Sequence, residues 1–243
     1  TRHSSALLAR LGIEKPLLAV HEHNERAAAS SVIERLAAGQ RVAYVSDAGT
    51  PAVSDPGAVL VDAAQRAGYR TIPVPGASSV VTALSVAGDF ASQGFAFAGF
   101  LPPKGQERVE RLRALLQRVE AQVLFEAPHR VEVLASLLQQ ECPGRMLTVC
   151  RELTKQFETV ETLPAGEFAS WLAADADRRR GEFVLVLHGV HASAEAEGSL
   201  PESVVPALGA LLEAMPLKQA ASLVADLTGL PRKRIYQRAL ELK

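Results

Sequence analysis

Several short runs of ionisable residues could do chemistry, and each adjoins an apolar stretch. Gln122-Val123-Leu124-Phe125 leads into Glu126-Ala127-Pro128-His129-Arg130. There an acid, an imidazole and a guanidinium fall close together. Glu126 and His129 suit general acid or base work; equally, Glu126 and Arg130 form a structural pair. Met146 to Cys150 leads into Arg151-Glu152-Leu153-Thr154-Lys155, again ionisable after apolar. Arg178-Arg179-Arg180-Gly181-Glu182 makes a charged turn before the strongly apolar Phe183 to Leu187.

Two polar loops could hold a ligand. Ser46-Asp47-Ala48-Gly49-Thr50-Pro51-Ala52-Val53-Ser54-Asp55-Pro56-Gly57 follows the apolar Arg41 to Val45. Its glycines permit close backbone approach, its prolines fix the path, and its Asp, Ser and Thr groups can hydrogen-bond a ligand. A capped turn explains the same composition. Pro75-Gly76-Ala77-Ser78-Ser79 is a second Gly/Ser loop, whose serines could equally be an N-cap. Two such loops in successive units make a shared crevice more credible than either alone. Neither is a GxGxxG fingerprint or a P-loop.

The elements that must position these loops alternate. The spacing predicts helices over 5–11, 27–38, 59–67, 80–86, 108–119, 131–140 and 168–174. It predicts strands over 17–20, 41–45, 69–74, 95–100, 122–125, 146–150 and 183–187. Alternation of this kind argues an α/β fold with the loops at strand ends. The helix after Lys104 is rich in charge, and its Arg108, Arg111 and Arg113 read as a solvated face. Gly88 to Gly94 reads as a boundary, which gives domains over 1–89 and 90–190. Residues 191–201, rich in Ala, Glu, Gly and Ser, read as a linker. In 202–243, a helix over 217–227, a turn at Thr228-Gly229-Leu230-Pro231 and a helix over 232–240 read as helix–turn–helix, with Ala225, Gly229 and Ile235 suiting a close crossing. Lys218, Arg232, Lys233, Arg234 and Arg238 make it basic, which suits a phosphate backbone or a solvated packing module.

Composition sets outer limits. The chain has 243 residues, 48% hydrophobic and 22% charged, so it can bury a core. Cys142 and Cys150 argue against a disulfide scaffold and fit a reducing cytoplasm. No metal-ligand spacing is readable, and His21 and His23 belong to a polar loop. No apolar run approaches the roughly 20 residues that span a bilayer. The chain starts at Thr1, so an N-terminal piece is expected to precede it.

As an ordered set, these motifs resemble the tetrapyrrole-methylase superfamily: Thr1-Arg2-His3-Ser4, the loops at 46–57 and 75–79, Glu126 to Arg130, Arg151 to Lys155, and Gly181-Glu182-Phe183-Val184-Leu185. With the basic tail, the set is similar to the branch that methylates a cytidine ribose 2′-hydroxyl in 16S ribosomal RNA. The resemblance implies two α/β domains with S-adenosylmethionine in the cleft between them, a small C-terminal helical module, and a homodimer in the cytoplasm acting on the small ribosomal subunit. It also implies a first strand and a Gly/Pro loop ahead of Thr1, which this sequence lacks.

The resemblance further assigns residues. Asp47, Thr50, Val53 and Ser54 would line one side of the cofactor. Ser78 and Ser79 would hold its amino-acid end or ribose. Phe125, Leu153 and Leu185, within Val184 to Leu187, would frame the adenine. For the methyl transfer, Lys155 and Glu152 rank ahead of Glu126 and His129 as a base or an oxyanion-stabilising cation. Arg130, Arg151, Lys218, Arg232, Lys233 and Arg234 would hold RNA, with Lys104, Arg108, Arg111, Arg113 and Arg178 to Arg180 adding basic surface. Two rivals share parts of this pattern: a methyltransferase acting on a tetrapyrrole, which should lack the basic tail, and a non-catalytic RNA-binding protein, which should not bind the cofactor.

Overall fold

The most apolar segment of the chain lies at the centre of a sheet. The structure is a computed structural model that describes residues 2–46, 49–190 and 204–242, without the side chain of Arg234. Its strands are β1 (Phe95–Phe100), β2 (Ala121–Glu126), β3 (Met146–Arg151), β4 (Thr159–Pro164) and β5 (Phe183–Leu187). Its helices are α1 (Arg2–Arg10), α2 (Glu25–Ala37), α3 (Ala58–Arg66), α4 (Ser79–Ala87), α5 (Gln106–Leu116), α6 (Val131–Glu141), α7 (Phe168–Ala173), α8 (Val204–Ala214), α9 (Leu217–Thr228) and α10 (Arg232–Glu241).

The strand order is β1-β2-β5-β3-β4. Strands β1 and β2 are parallel, and each other neighbouring pair is antiparallel. As a result β1, β2 and β3 all end at one edge. There Phe183, the first residue of β5, pairs with Glu126 on one side and Arg151 on the other.

Both faces of the sheet are covered, which is why β5 is apolar without alternation. Phe183, Leu185 and Leu187 pack with Leu124, Leu147 and Val149 against α5, α6 and α7. Val184 and Val186 pack with Val123 and Cys150 against Val80, Ala83 and Ala87 of α4. Each large side chain buried this way contributes about 1.5–3 kcal/mol.

At the edge opposite the strand ends, polar groups tie α4 to the sheet. Thr148 Oγ1 donates to Ala87 O at 3.2 Å and lies 2.7 Å from His188 Nε2 and 2.7 Å from Thr162 Oγ1. The Thr148 hydroxyl thus links the Ala87 carbonyl, the Thr162 hydroxyl and the His188 ring. Nearby, Asp89 Oδ2 accepts from Gly189 N at 2.8 Å. Burial pushes the His188 imidazole below its ordinary value, the Arg145 charge adds to this, and Asp89 opposes it.

The segments expected as strands over 17–20, 41–45 and 69–74 form no strand among the described residues. Val45, Ile72 and Val74 stay exposed there. An apolar run becomes a strand only when a neighbour takes up its backbone groups, and none of these does so for another. Nearby, α2 and α3 pack on each other through Ala29, Val32 and Leu60. The tail has its own core of Leu208, Ala220, Ala221, Val224, Ile235 and Ala239. Gly229, with φ of 69°, ends α9 and starts the turn, as its position implied. The expected linker over 191–201 lies outside the described residues.

Candidate active site

The edge where β1, β2 and β3 end gathers most of the motifs. Helix α4 ends beside Thr148 and the opposite edge, so its N-terminal Ser78 and Ser79 point toward the strand ends. Ser78 stands at the N-cap, yet its hydroxyl makes no capping bond. The first polar loop folds onto the second: Thr50 Oγ1 donates to Ala77 O at 3.1 Å. It also reaches β1, where a Cβ built on Gly99 would meet Ser54 Oγ at 3.2 Å. Ala52 and Ser54 hold φ of 65° and 53°. Non-glycine residues in this region store strain of about 1–3 kcal/mol each and cluster at functional sites.

Thr50, Ser54, Ser78, Ser79, Phe125 and Leu153 therefore line one region, since Phe125 and Leu153 pack on the α4 face of the sheet. Val53 is exposed on the same loop. Asp47 lies outside the described residues. Leu185 needs correction: its side chain is fully buried on the far face, among α5, α6 and α7. Its neighbour Val184 faces α4 instead.

Glu126 is committed elsewhere. Its Oε2 accepts from Arg108 Nη2 at 2.6 Å, and its Oε1 accepts from Ala127 N at 2.9 Å. Arg130 Nε lies 2.9 Å from Oε1 without aligning its N–H on it. The two guanidiniums also donate to the carbonyls of Leu101 and Pro102. The Glu126 and Arg108 side chains are 0% and 3% exposed. So the structural pair foreseen for Glu126 and Arg130 is real, and it includes a third member. Arg108 does not belong to a solvated face. It shares the spacing of Leu112 and Leu115, the buried stripe of α5, and that spacing was the signal. His129, between the two, is exposed.

The run after β3 is also internally paired. Glu152 Oε1 accepts from Lys155 Nζ at 2.9 Å and from Glu182 N at 2.8 Å. Lys155 Nζ reaches Glu182 Oε2 at 2.9 Å as well. These bonds, Glu182 first, hold the Lys155 ammonium above its ordinary value. The Glu182 backbone donor and then Lys155 hold the Glu152 carboxyl below its own. An ammonium so stabilised keeps its proton and makes a poor base, though it remains a fixed cation. Arg151 is buried and donates to the carbonyls of Asp177, Arg180 and Phe157 and to Thr159 Oγ1. With both terminal nitrogens of Arg151 spent on that turn, it has little left for RNA, whereas Arg130 donates through Nη2 alone.

In the tail, Lys218, Arg232 and Lys233 are exposed. Arg232 also donates to Ser222 Oγ. The side chain of Arg234 lies outside the described residues. Among the described residues no cluster of His, Cys, Asp and Glu could hold a metal.

Residues 5–169 match the family described as Tetrapyrrole (Corrin/Porphyrin) Methylases. The chain belongs to the tetrapyrrole methylase family. Residues 198–243 match the RsmI C-terminal HTH domain. Within the tetrapyrrole methylases, the chain is 44% identical to the ribosomal RNA small subunit methyltransferase I of Pseudomonas aeruginosa, over 99% of this chain and 85% of that protein. The protein of the same name from Xylella fastidiosa is 45% identical over 97% of this chain and 85% of its own length. Among solved structures, the methyltransferase CobJ is similar with a TM-score of 0.54 at 21% identity, covering 78% of this chain and 87% of that one. Diphthine synthase is similar with a TM-score of 0.53 at 16% identity, covering 76% and 73%. These two likenesses speak for a tetrapyrrole methylase fold alone.

Proposed function

We propose that this chain transfers a methyl group from S-adenosylmethionine to a cytidine ribose 2′-hydroxyl in 16S ribosomal RNA. The reading takes the assembled small subunit as substrate and a cytoplasmic homodimer as the working form. It divides the chain into units over 1–89, 90–190 and 202–243. The observation that carries it is near-full-length similarity to ribosomal RNA methyltransferases in a chain whose polar loops converge at the strand ends. The tail matched to a helix–turn–helix domain favours RNA over a tetrapyrrole.

The residues present fit the cofactor. The polar loops offer hydroxyls and backbone groups on one side, with Thr50, Ser54, Ser78 and Ser79 for an amino-acid end and ribose. Phe125, Leu153 and Val184 offer an apolar floor for a planar base. The cofactor supplies a methyl group on a sulfonium. The protein's part is to hold that methyl in line with the ribose oxygen and to keep water out. The hydroxyl must shed its proton as the new bond forms. Glu126 is fully buried and paired with Arg108 and Arg130, and Lys155 keeps its own proton. His129, exposed just beyond β2, is the proton acceptor in this reading, and Lys155 supplies positive charge near the developing oxyanion.

The test is methyl transfer from labelled S-adenosylmethionine to unmodified small ribosomal subunits, with a uroporphyrinogen as the competing acceptor. Ribose methylation protects one phosphodiester from alkaline cleavage, because the neighbouring hydroxyl can no longer attack. Label in the RNA at an alkali-resistant site is expected. Label in the tetrapyrrole alone, or none in either, overturns the reading.

A further inference from the structure

Phe97 and Phe100 are three residues apart, so on a regular strand their rings would leave opposite faces. In β1 they do not. The register pairs Phe97 with Val123, skips one residue, and resumes with Gly99 against Leu124 and Phe100 against Phe125. This is a β-bulge, and Gly99 takes the φ of 64° that it requires. Without the skip, Phe100 would pair with Glu126 and turn away from α4. With it, the rings of Phe97 and Phe100 lie 4.9 Å and 5.6 Å from that of Phe125, both edge to face. Leu101 is thereby sent to the other face, where it is buried.

The ring of Phe100 packs on Phe125, and the residue is still 51% exposed. It stands where β1 opens into the crevice, next to the position at which Gly99 admits Ser54. The exposed Lys104 follows β1 four residues after Phe100, and the exposed imidazole of His129 follows the neighbouring β2. An exposed aromatic ring with a lysine shortly after it in the chain suits one ligand chemistry well. It takes a planar base against the ring and anionic phosphates on the rim.

We propose that Phe100 is the stacking platform for an unpaired base of the RNA substrate, and that the bulge at Gly99 turns it toward the crevice. The inference rests on the RNA reading given above. Specific RNA sites are mostly single-stranded, with bases splayed onto aromatic side chains. Phe125 and Leu153 are half-buried beneath α4 and stay with the cofactor.

The experiment uses the full chain with unmodified small ribosomal subunits and three forms: wild type, Phe100→Leu and Phe100→Trp. Leucine keeps the apolar contact with Phe125 but offers no aromatic face. The KM for subunits should rise about 5- to 150-fold in Phe100→Leu, the range of base–aromatic stacking. Phe100→Trp should remain near wild type. Cofactor affinity by calorimetry should stay within about twofold in both, since stacking energy is lost only to the RNA. An unchanged KM in Phe100→Leu overturns the proposal. So does a parallel loss of cofactor affinity, which would give the ring to the adenine, or a Phe100→Trp as impaired as the leucine form. A wild-type chain that binds cofactor but leaves the RNA unmethylated overturns the RNA reading itself, and that outcome is seen without any variant.

Discussion

Replacing Glu126 with glutamine should unfold the sheet domain well before it affects chemistry. The carboxylate stands between two guanidiniums, with side chains 0% exposed for Glu126, 3% for Arg108 and 18% for Arg130. Glutamine keeps the shape and one acceptor oxygen but removes the charge. Two cations are then left facing each other at a buried strand end. Removing one partner of a buried ion pair costs about 3–5 kcal/mol. For a chain of this size each kcal/mol moves the melting temperature by roughly 2–4 °C, so Tm should fall by about 6–20 °C. Thermal unfolding followed by circular dichroism measures it. Arg108→Met combined with Glu126→Met should recover at least half of that loss, because apolar replacement of a buried pair is often neutral. A glutamine variant that melts within about 3 °C of wild type yet loses methyl transfer would rule out this structural role, since a shift that small leaves no room for a broken buried pair. Glu126 would then act on the substrate and not on its own scaffold.

Gly181→Ala should destabilise by roughly 1–3 kcal/mol. Its φ is 88°, and the new Cβ would come within 2.4 Å of Glu152 Cγ, prying the Lys155 clamp apart; an unchanged urea midpoint would count against this. His188 gives a pH dependence of definite sign. Its folded-state value lies below the ordinary 6.5, so its contribution is complete above that pH and is lost as pH falls through the folded value. Urea midpoints taken between pH 5 and 7 should slope upward with pH, and His188→Gln should flatten them.

Local pattern revealed the helices other than α8, Val204–Ala214, and the strands with two covered faces, because 3.6-residue spacing and continuous apolar runs need no knowledge of partners. It missed β4, Thr159–Pro164, where Thr, Glu and a terminal Pro disguise an edge strand. It overread 17–20, 41–45 and 69–74, since strand formation depends on a distant neighbour. The site was legible as places and less so as roles. Glu126, Arg130, Arg151 and Glu152 look alike in sequence whether they meet a substrate or brace a turn, and only distances separate the two. The bulge left one trace: in Phe95-Ala96-Phe97-Ala98-Gly99-Phe100 the last aromatic is out of step, and a glycine stands just before it.

The position of β5 has a consequence for biosynthesis. Among the described residues, the last strand made is the one that joins β2 to β3. Until Leu187 has been synthesised and cleared the exit tunnel, the nascent chain holds two half-sheets, β1 with β2 and β3 with β4, each with an open inner edge. Such edges are templates for wrong pairing. Closure must also wait for contacts far apart in sequence, which slows it. Ribosomal stalling before residue 183 is therefore the point at which this chain is most exposed to aggregation or to chaperones, whereas the tail, with a core of its own, can close after the sheet is sealed.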